Sequence, residues 1–170
     1  MLIRFYLHYF DNHEHASIRV YFPYQVIKTP KYAIKLELTD TYGEEKYRAC
    51  DSLYFRGTEG AIIVYDVTSR NSFESLDYWI DLTTKERGSD VSIVLVANKC
   101  DLNKVVTDEE GIRYAERVGY PLVFCSSYTG EGINEVFFKA AFPKGEFSYP
   151  DKRVNIVSLY DSVTPKYCYC

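Results

Sequence analysis

Two uninterrupted apolar runs, Ala61-Ile62-Ile63-Val64-Tyr65 and Ile93-Val94-Leu95-Val96-Ala97, constrain the fold of this chain more than anything else in it. A strand with one face in water alternates apolar and polar residues. A run without alternation has both faces covered, as in a parallel sheet between two layers of helices. The segment between the runs is helical in pattern: Asn71 is expected to cap it with Glu74 as partner, and Phe73, Leu76 and Ile80 supply the inner face. Thr107 and Glu110 form a second capping box ahead of Ile112, Ala115 and Val118, and Gly119 stands where a helix end favours a left-handed residue. Pro121-Leu122-Val123-Phe124 predicts a short buried strand, and Ile133, Val136, Phe137 and Ala140 a last helix that stops before Pro143. Strands and helices alternating in this order predict an α/β fold, an open and mostly parallel sheet flanked by helices.

The two ends read differently. Leu2, Phe5, Tyr6 and Tyr9 share one face of a helix over residues 1–10 that has no capping residue before it. Val20, Phe22, Tyr24 and Val26 alternate as a half-buried strand, and Ile34, Leu36 and Leu38 as a second. The two predict an antiparallel pair turning at Pro30-Lys31 and ending at Thr39-Asp40. Beyond Pro143 no apolar face recurs, so residues 143–170 are expected to be a flexible tail on a single domain, residues 1–142.

With 46% hydrophobic and 26% charged residues the chain can build a core, and a net charge of -4 gives no reason to expect a nucleic-acid partner. Five cysteines without a CxxC pair argue against a disulfide or zinc scaffold and for a reducing compartment. No GxGxxG follows a strand, which disfavours a dinucleotide enzyme, and His8, His13 and His15 have no cysteine partners to form a metal site.

Asn98-Lys99-Cys100-Asp101 follows directly on the second apolar run, at a strand's carboxyl end, where open α/β sheets collect ligands. A carboxylate only accepts, so Asp101 can take two parallel donors from the edge of guanine and rejects adenine. Lys99 would lie over the base plane and Asn98 would tie neighbouring loops. Three fixed residue types at about 5% usage each match by chance in about 2% of chains of this length, so the motif needs company. It has company in Asp40-Thr41-Tyr42-Gly43-Glu44-Glu45, Tyr65-Asp66-Val67-Thr68 and Cys125-Ser126-Ser127-Tyr128-Thr129-Gly130, each at a predicted strand end.

With these motifs in this order, residues 1–142 resemble the Ras superfamily of small GTPases, and most closely its Rab branch. The resemblance implies a Ras-like P-loop GTPase fold that binds GTP or GDP with Mg2+. It implies that Asn98, Lys99, Asp101, Ser126, Ser127 and Tyr128 read guanine, Tyr128 standing in for the lysine of an SAK loop. It also implies that Gly43 meets the γ-phosphate and that Ser17 and, through water, Asp40 hold the metal. Val20-Tyr21-Phe22 and Tyr54-Phe55-Arg56-Gly57 look like the IGVDF and YYRG stretches of Rabs.

The departures from the pattern carry their own expectations. Leu2-Ile3-Arg4-Phe5 matches the helix that follows the phosphate loop, so the family's first strand and P-loop would fall before Met1, and no GxxxxGK[ST] occurs in the sequence. Charge-assisted bonds contribute about 1.5 to 3 kcal/mol each, and losing three or more weakens nucleotide binding by roughly a thousandfold. Glu44 occupies the place of the catalytic glutamine, and a carboxylate beside the γ-phosphate repels it, so hydrolysis of GTP to GDP is expected to be slow. Thr39 replaces the tryptophan that joins Phe22 and Tyr54 in the Rab effector cluster, and Tyr42 replaces a small alanine. Without a strand between the second hairpin strand and Ala61–Tyr65, two edges would be bared, to close on each other or leave the chain unstable.

The terminal Tyr167-Cys168-Tyr169-Cys170 resembles the CxC ending on which Rabs carry two geranylgeranyl groups, so Cys168 and Cys170 are expected lipidation sites. The expectation is a monomeric, Rab-like switch in vesicle trafficking on the cytoplasmic face of intracellular membranes, with a cytosolic pool, and with Rab effectors and regulators as partners. The alternative is a non-catalytic pseudo-GTPase interaction module or a truncated gene product.

Overall fold

The structure, a computed structural model, describes residues 1–8, 10, 24–28, 33–40, 58–88, 91–142 and 155–157. The elements are α1 (Leu2–Leu7), β1 (Gln25–Lys28), β2 (Ala33–Leu36), β3 (Gly60–Asp66), α2 (Arg70–Glu74), α3 (Leu76–Arg87), β4 (Ser92–Asn98), α4 (Asp108–Val118), β5 (Leu122–Phe124), α5 (Ile133–Ala141) and β6 (Asn155–Val157). β3, β4 and β5 make a parallel sheet in that order. In β4 the side chains of Ile93, Leu95 and Ala97 go to one face, with Leu76, Ile80, Tyr114 and Ala115, and those of Val94 and Val96 to the other, with Phe5, Val136 and Phe137. All five of these β4 residues are buried, which is the physical meaning of an apolar run without alternation, but the β3 run departs from the expectation: at the edge of this sheet among the described residues, it buries Ile63 and Tyr65 and leaves Val64 40% exposed. Phe5 stacks on Phe137 at a ring separation of 3.8 Å, fixing α1 against α5.

β1 and β2 pair antiparallel, as the hairpin pattern predicts, but in a second sheet of order β2-β1-β6. The alternation in β1 runs in the opposite phase to the expected one: Gln25 and Ile27 are buried, while Tyr24 is 45% exposed. Ile27 fills a pocket against Phe138 and Phe142, and side-chain alternation with period two then turns Tyr24 outward. Among the described residues β2 and β3 lie in different sheets, so the two edges do not close on each other. They are held in one core by packing instead, since Leu36, Leu38 and Ile62 all border the cluster of Phe5 and Phe137.

Three local expectations need correction. The first helix after β3 is capped by Ser69, not Asn71: Ser69 has the extended backbone of a cap and accepts from Ser72 N–H, while Asn71 lies inside α2. Ile112 is 44% exposed, and α4 turns Gly111, Tyr114 and Ala115 inward; the Tyr65 hydroxyl occupies the space a side chain at Gly111 would need. Asn155–Val157, within the expected tail, forms a strand on β1. Three residues are too few to show a period, and main-chain hydrogen bonds leave no mark in composition. The capping box of Thr107 and Glu110 and the left-handed Gly119 are as expected. Glu110 also receives both Arg70 nitrogens, at 2.8 and 3.1 Å, so the cap joins α2 to α4.

Candidate guanine-binding site

β4 ends at Asn98, where the chain stops hydrogen bonding as a strand and turns. Lys99 takes a left-handed φ of 67°, a conformation that costs a non-glycine residue about 1 to 2 kcal/mol. The turn is held by Leu102 N–H donating to Lys99 O and by Cys100 N–H donating to Cys125 O at 3.1 Å. That second bond brings in the loop after β5. The Asn98 Oδ1 atom accepts from the amide and the hydroxyl of Ser127, both at 3.1 Å, and the Cys125 thiol approaches it at 3.5 Å. Ser126 donates its hydroxyl to Asp101 at 2.5 Å and accepts from Thr129 N–H. Five of the six residues expected to read guanine, Asn98, Lys99, Asp101, Ser126 and Ser127, are thus in one hydrogen-bonded pair of loops with Tyr128. Ser126 and Ser127 are buried and Asp101 and Tyr128 exposed, so the serines act as supports and the carboxylate faces outward.

Three residues to which the motifs gave no role complete the arrangement. Asp66, at the end of β3, pairs with the Lys99 ammonium at 2.6 Å and accepts from the amide and hydroxyl of Thr68. Burial works against the charge on Asp66, but Lys99 and Thr68 outweigh it and hold its carboxyl below the usual range. Arg4 reaches from α1 to donate to Thr129 O at 2.7 Å, across 125 positions of sequence. Gly130, at a φ of 90°, lets it in: a Cβ there would stand 2.8 Å from the guanidinium. The Phe10 ring meets Tyr128 edge-on at 5.5 Å and extends the rim. Only the position of Asp66 at a strand end could have flagged it; Arg4 and Phe10 carry no local signal.

Gly132 closes the loop from the other side. Its φ is 72°, and a Cβ would clash with Phe124 O and lie 2.9 Å from Cys125 Cβ. Burial pushes the Cys125 thiol up to about 12 and raises that of Cys100, so both are protonated, and the Cys100 thiol donates to Ala97 O.

Asp40 lies just beyond β2, partly buried. Ser17, Gly43 and Glu44, and with them Phe22, Tyr42, Tyr54, Cys168 and Cys170, lie outside the described residues. Among the described residues no group of three His, Cys, Asp or Glu side chains comes together to hold a metal, and no helix is long and apolar enough to cross a membrane. The donor set fits one end of a nucleotide. An outward carboxylate backed by a serine suits a base edge carrying two donors, whereas the phosphate end has no glycine-rich GxxxxGK[ST] nest in this sequence.

Residues 1–142 match the Ras family. Ras-related protein SEC4 of Candida albicans is 32% identical over 143 residues, 83% of this chain and 68% of the relative. Ras-related protein Rab-18 of Caenorhabditis elegans is 37% identical over 139 residues, 81% of this chain and 68% of that protein. A match over most of the chain and two relatives above 30% identity lead to one conclusion: the chain belongs to the Ras family, as a Rab-like member of the small GTPase superfamily.

Proposed function

We propose that this chain is a Rab-like, guanine-directed switch protein of vesicle trafficking in which base recognition is built and phosphate recognition is weak. The observation that carries this reading is the pair of bonds Asn98–Ser127 and Asp101–Ser126, which fix the two loops with the carboxylate outward. In the proposed complex Asp101 takes two donors of guanine, the Lys99 methylenes lie on the base, and Tyr128 borders it. Gly43 would meet the γ-phosphate. Bound Mg2+ would neutralise phosphate charge, and Ser17 and, through water, Asp40 are the residues that would hold it. With Glu44 in place of a glutamine, hydrolysis would be slow. Lipidation of Cys168 and Cys170 would give two chains, enough for stable anchoring to the cytoplasmic face of an internal membrane, where effectors and regulators of Rab type would meet a monomer.

The sequence also favours a second reading, an interaction module that keeps the fold without loading nucleotide, because GxxxxGK[ST], the motif that supplies a lysine and an amide nest to the β- and γ-phosphates, does not occur in these 170 residues. A titration with labelled guanine and xanthine nucleotides separates the two. On the first reading the protein prefers guanine, and Asp101→Asn reverses the preference, since an amide offers a donor to the 2-oxygen of xanthine. No saturable guanine binding at millimolar concentration would leave the second.

A further inference from the structure

The sheet β2-β1-β6 has an outer member that the chain adds from far away. Val26, Ile27 and Lys28 of β1 pair with Val157, Ile156 and Asn155 of β6, antiparallel, and residues 142–154 intervene between α5 and β6. β1 does not need this neighbour to stay in place. Its other side is registered along four residues of β2, and Ile27 is fully buried against Phe138, Phe142, Ile34 and Leu36 from α5, the residue that follows it, and β2. A three-residue strand makes few ladder bonds, and the connection that returns it to β1 costs loop-closure entropy. β6 is therefore an element that can leave while β1 remains, and its departure would expose a row of main-chain donors and acceptors, a template for another strand.

We infer that Asn155–Val157 is a removable cover, held in cis, over a strand-docking edge on β1, and that the edge accepts an extended segment of a partner protein when the cover leaves. The cover itself shows what fits: an antiparallel strand with β-branched apolar residues opposite Val26 and Ile27. Lys28 is exposed and faces Asn155 across the ladder. A partner segment with an aspartate or glutamate at that position gains a cross-strand ion pair that the cover lacks, which favours it by about two- to fivefold. The inference does not depend on nucleotide binding.

The test uses the full chain, amide hydrogen exchange and a fluorescent peptide of the sequence of residues 152–160. Ile156→Pro and Val157→Pro are made separately, because hydrogen-bonded pairs alternate along an antiparallel ladder and one of these two residues donates to β1; the variant at that residue loses the bond. In that variant the β1 amides that point at β6, among Val26–Lys28, exchange at least tenfold faster, and the peptide binds at least tenfold more tightly than to the wild type. Unchanged protection of those amides, or no peptide bound to the bared edge, overturns the inference. Should the proline variants not fold, the wild-type chain decides: excess peptide with Asn155→Asp must speed exchange at residues 155–157, and no displacement at saturating peptide refutes the cover.

Discussion

Asn98→Ala removes the acceptor that joins the two loops of the site. Oδ1 takes both the amide and the hydroxyl of Ser127, and Ser127 is only 6% exposed, so water has little access to replace it. A buried donor left without an acceptor costs about 1 to 3 kcal/mol. The hydroxyl can rotate to another partner and the amide cannot, which puts the total at about 2 to 4 kcal/mol. Urea unfolding followed by tyrosine and tryptophan fluorescence should show the midpoint falling by roughly 1 to 2 M, and a thermal scan a loss of about 5 to 15 °C. Asn98→Asp keeps an acceptor at the same place and should retain more of the stability than alanine does. A double-mutant cycle with Ser127→Ala should return a coupling of about 0.5 to 1.5 kcal/mol from the hydroxyl bond. An Asn98→Ala protein within about 0.5 kcal/mol of wild type would refute the claim that this side chain ties the loops.

Two further perturbations test the frame around the site. Arg70 and, after it, the Thr107 amide hold the Glu110 carboxyl at about 2, below its ordinary 4.5, so its contribution is fully present above the unfolded value and is lost as pH falls through the folded one. Glu110→Gln keeps the capping box and loses the charge; urea midpoints measured from neutral pH down to about pH 2 should fall less steeply in the variant than in wild type below about pH 4.5. Gly132→Ala forces a left-handed φ of 72° on a residue whose Cβ meets Phe124 O and Cys125, and should destabilise the protein by about 2 to 4 kcal/mol in chemical denaturation.

The parts of this molecule that are legible in the sequence are those fixed by local chemistry. The β3 and β4 strands, the Thr107 box, Gly119 and the stop before Pro143 each rest on neighbours within a few positions, and each is in place, although only β4 has both faces covered and Val64 of β3 is exposed. What is not legible depends on distant partners. Ile112 fits a helical face by spacing, yet the Tyr65 hydroxyl at Gly111 turns the helix so that Ile112 is outside. Tyr24 looks inward by alternation until Ile27 is seen to fill the Phe138 and Phe142 pocket. β6 is invisible because main-chain pairing leaves no pattern. The same division runs through the site. Asn98, Lys99 and Asp101 fall within four successive positions and are readable, whereas Arg4 meets Thr129, and Asp66 meets Lys99, only once the sheet has formed.

The proposed function rests on one claim, that this chain would recognise the base end of a guanine nucleotide and grip the phosphates only weakly. Calorimetric titration of the 170-residue chain with guanosine and with GTP, each in the presence of Mg2+, tests it most directly. The account predicts weak binding of both, with Kd values within about tenfold of each other, because no GxxxxGK[ST] phosphate loop occurs in these 170 residues. A Kd for GTP a thousandfold or more below that for guanosine would contradict it.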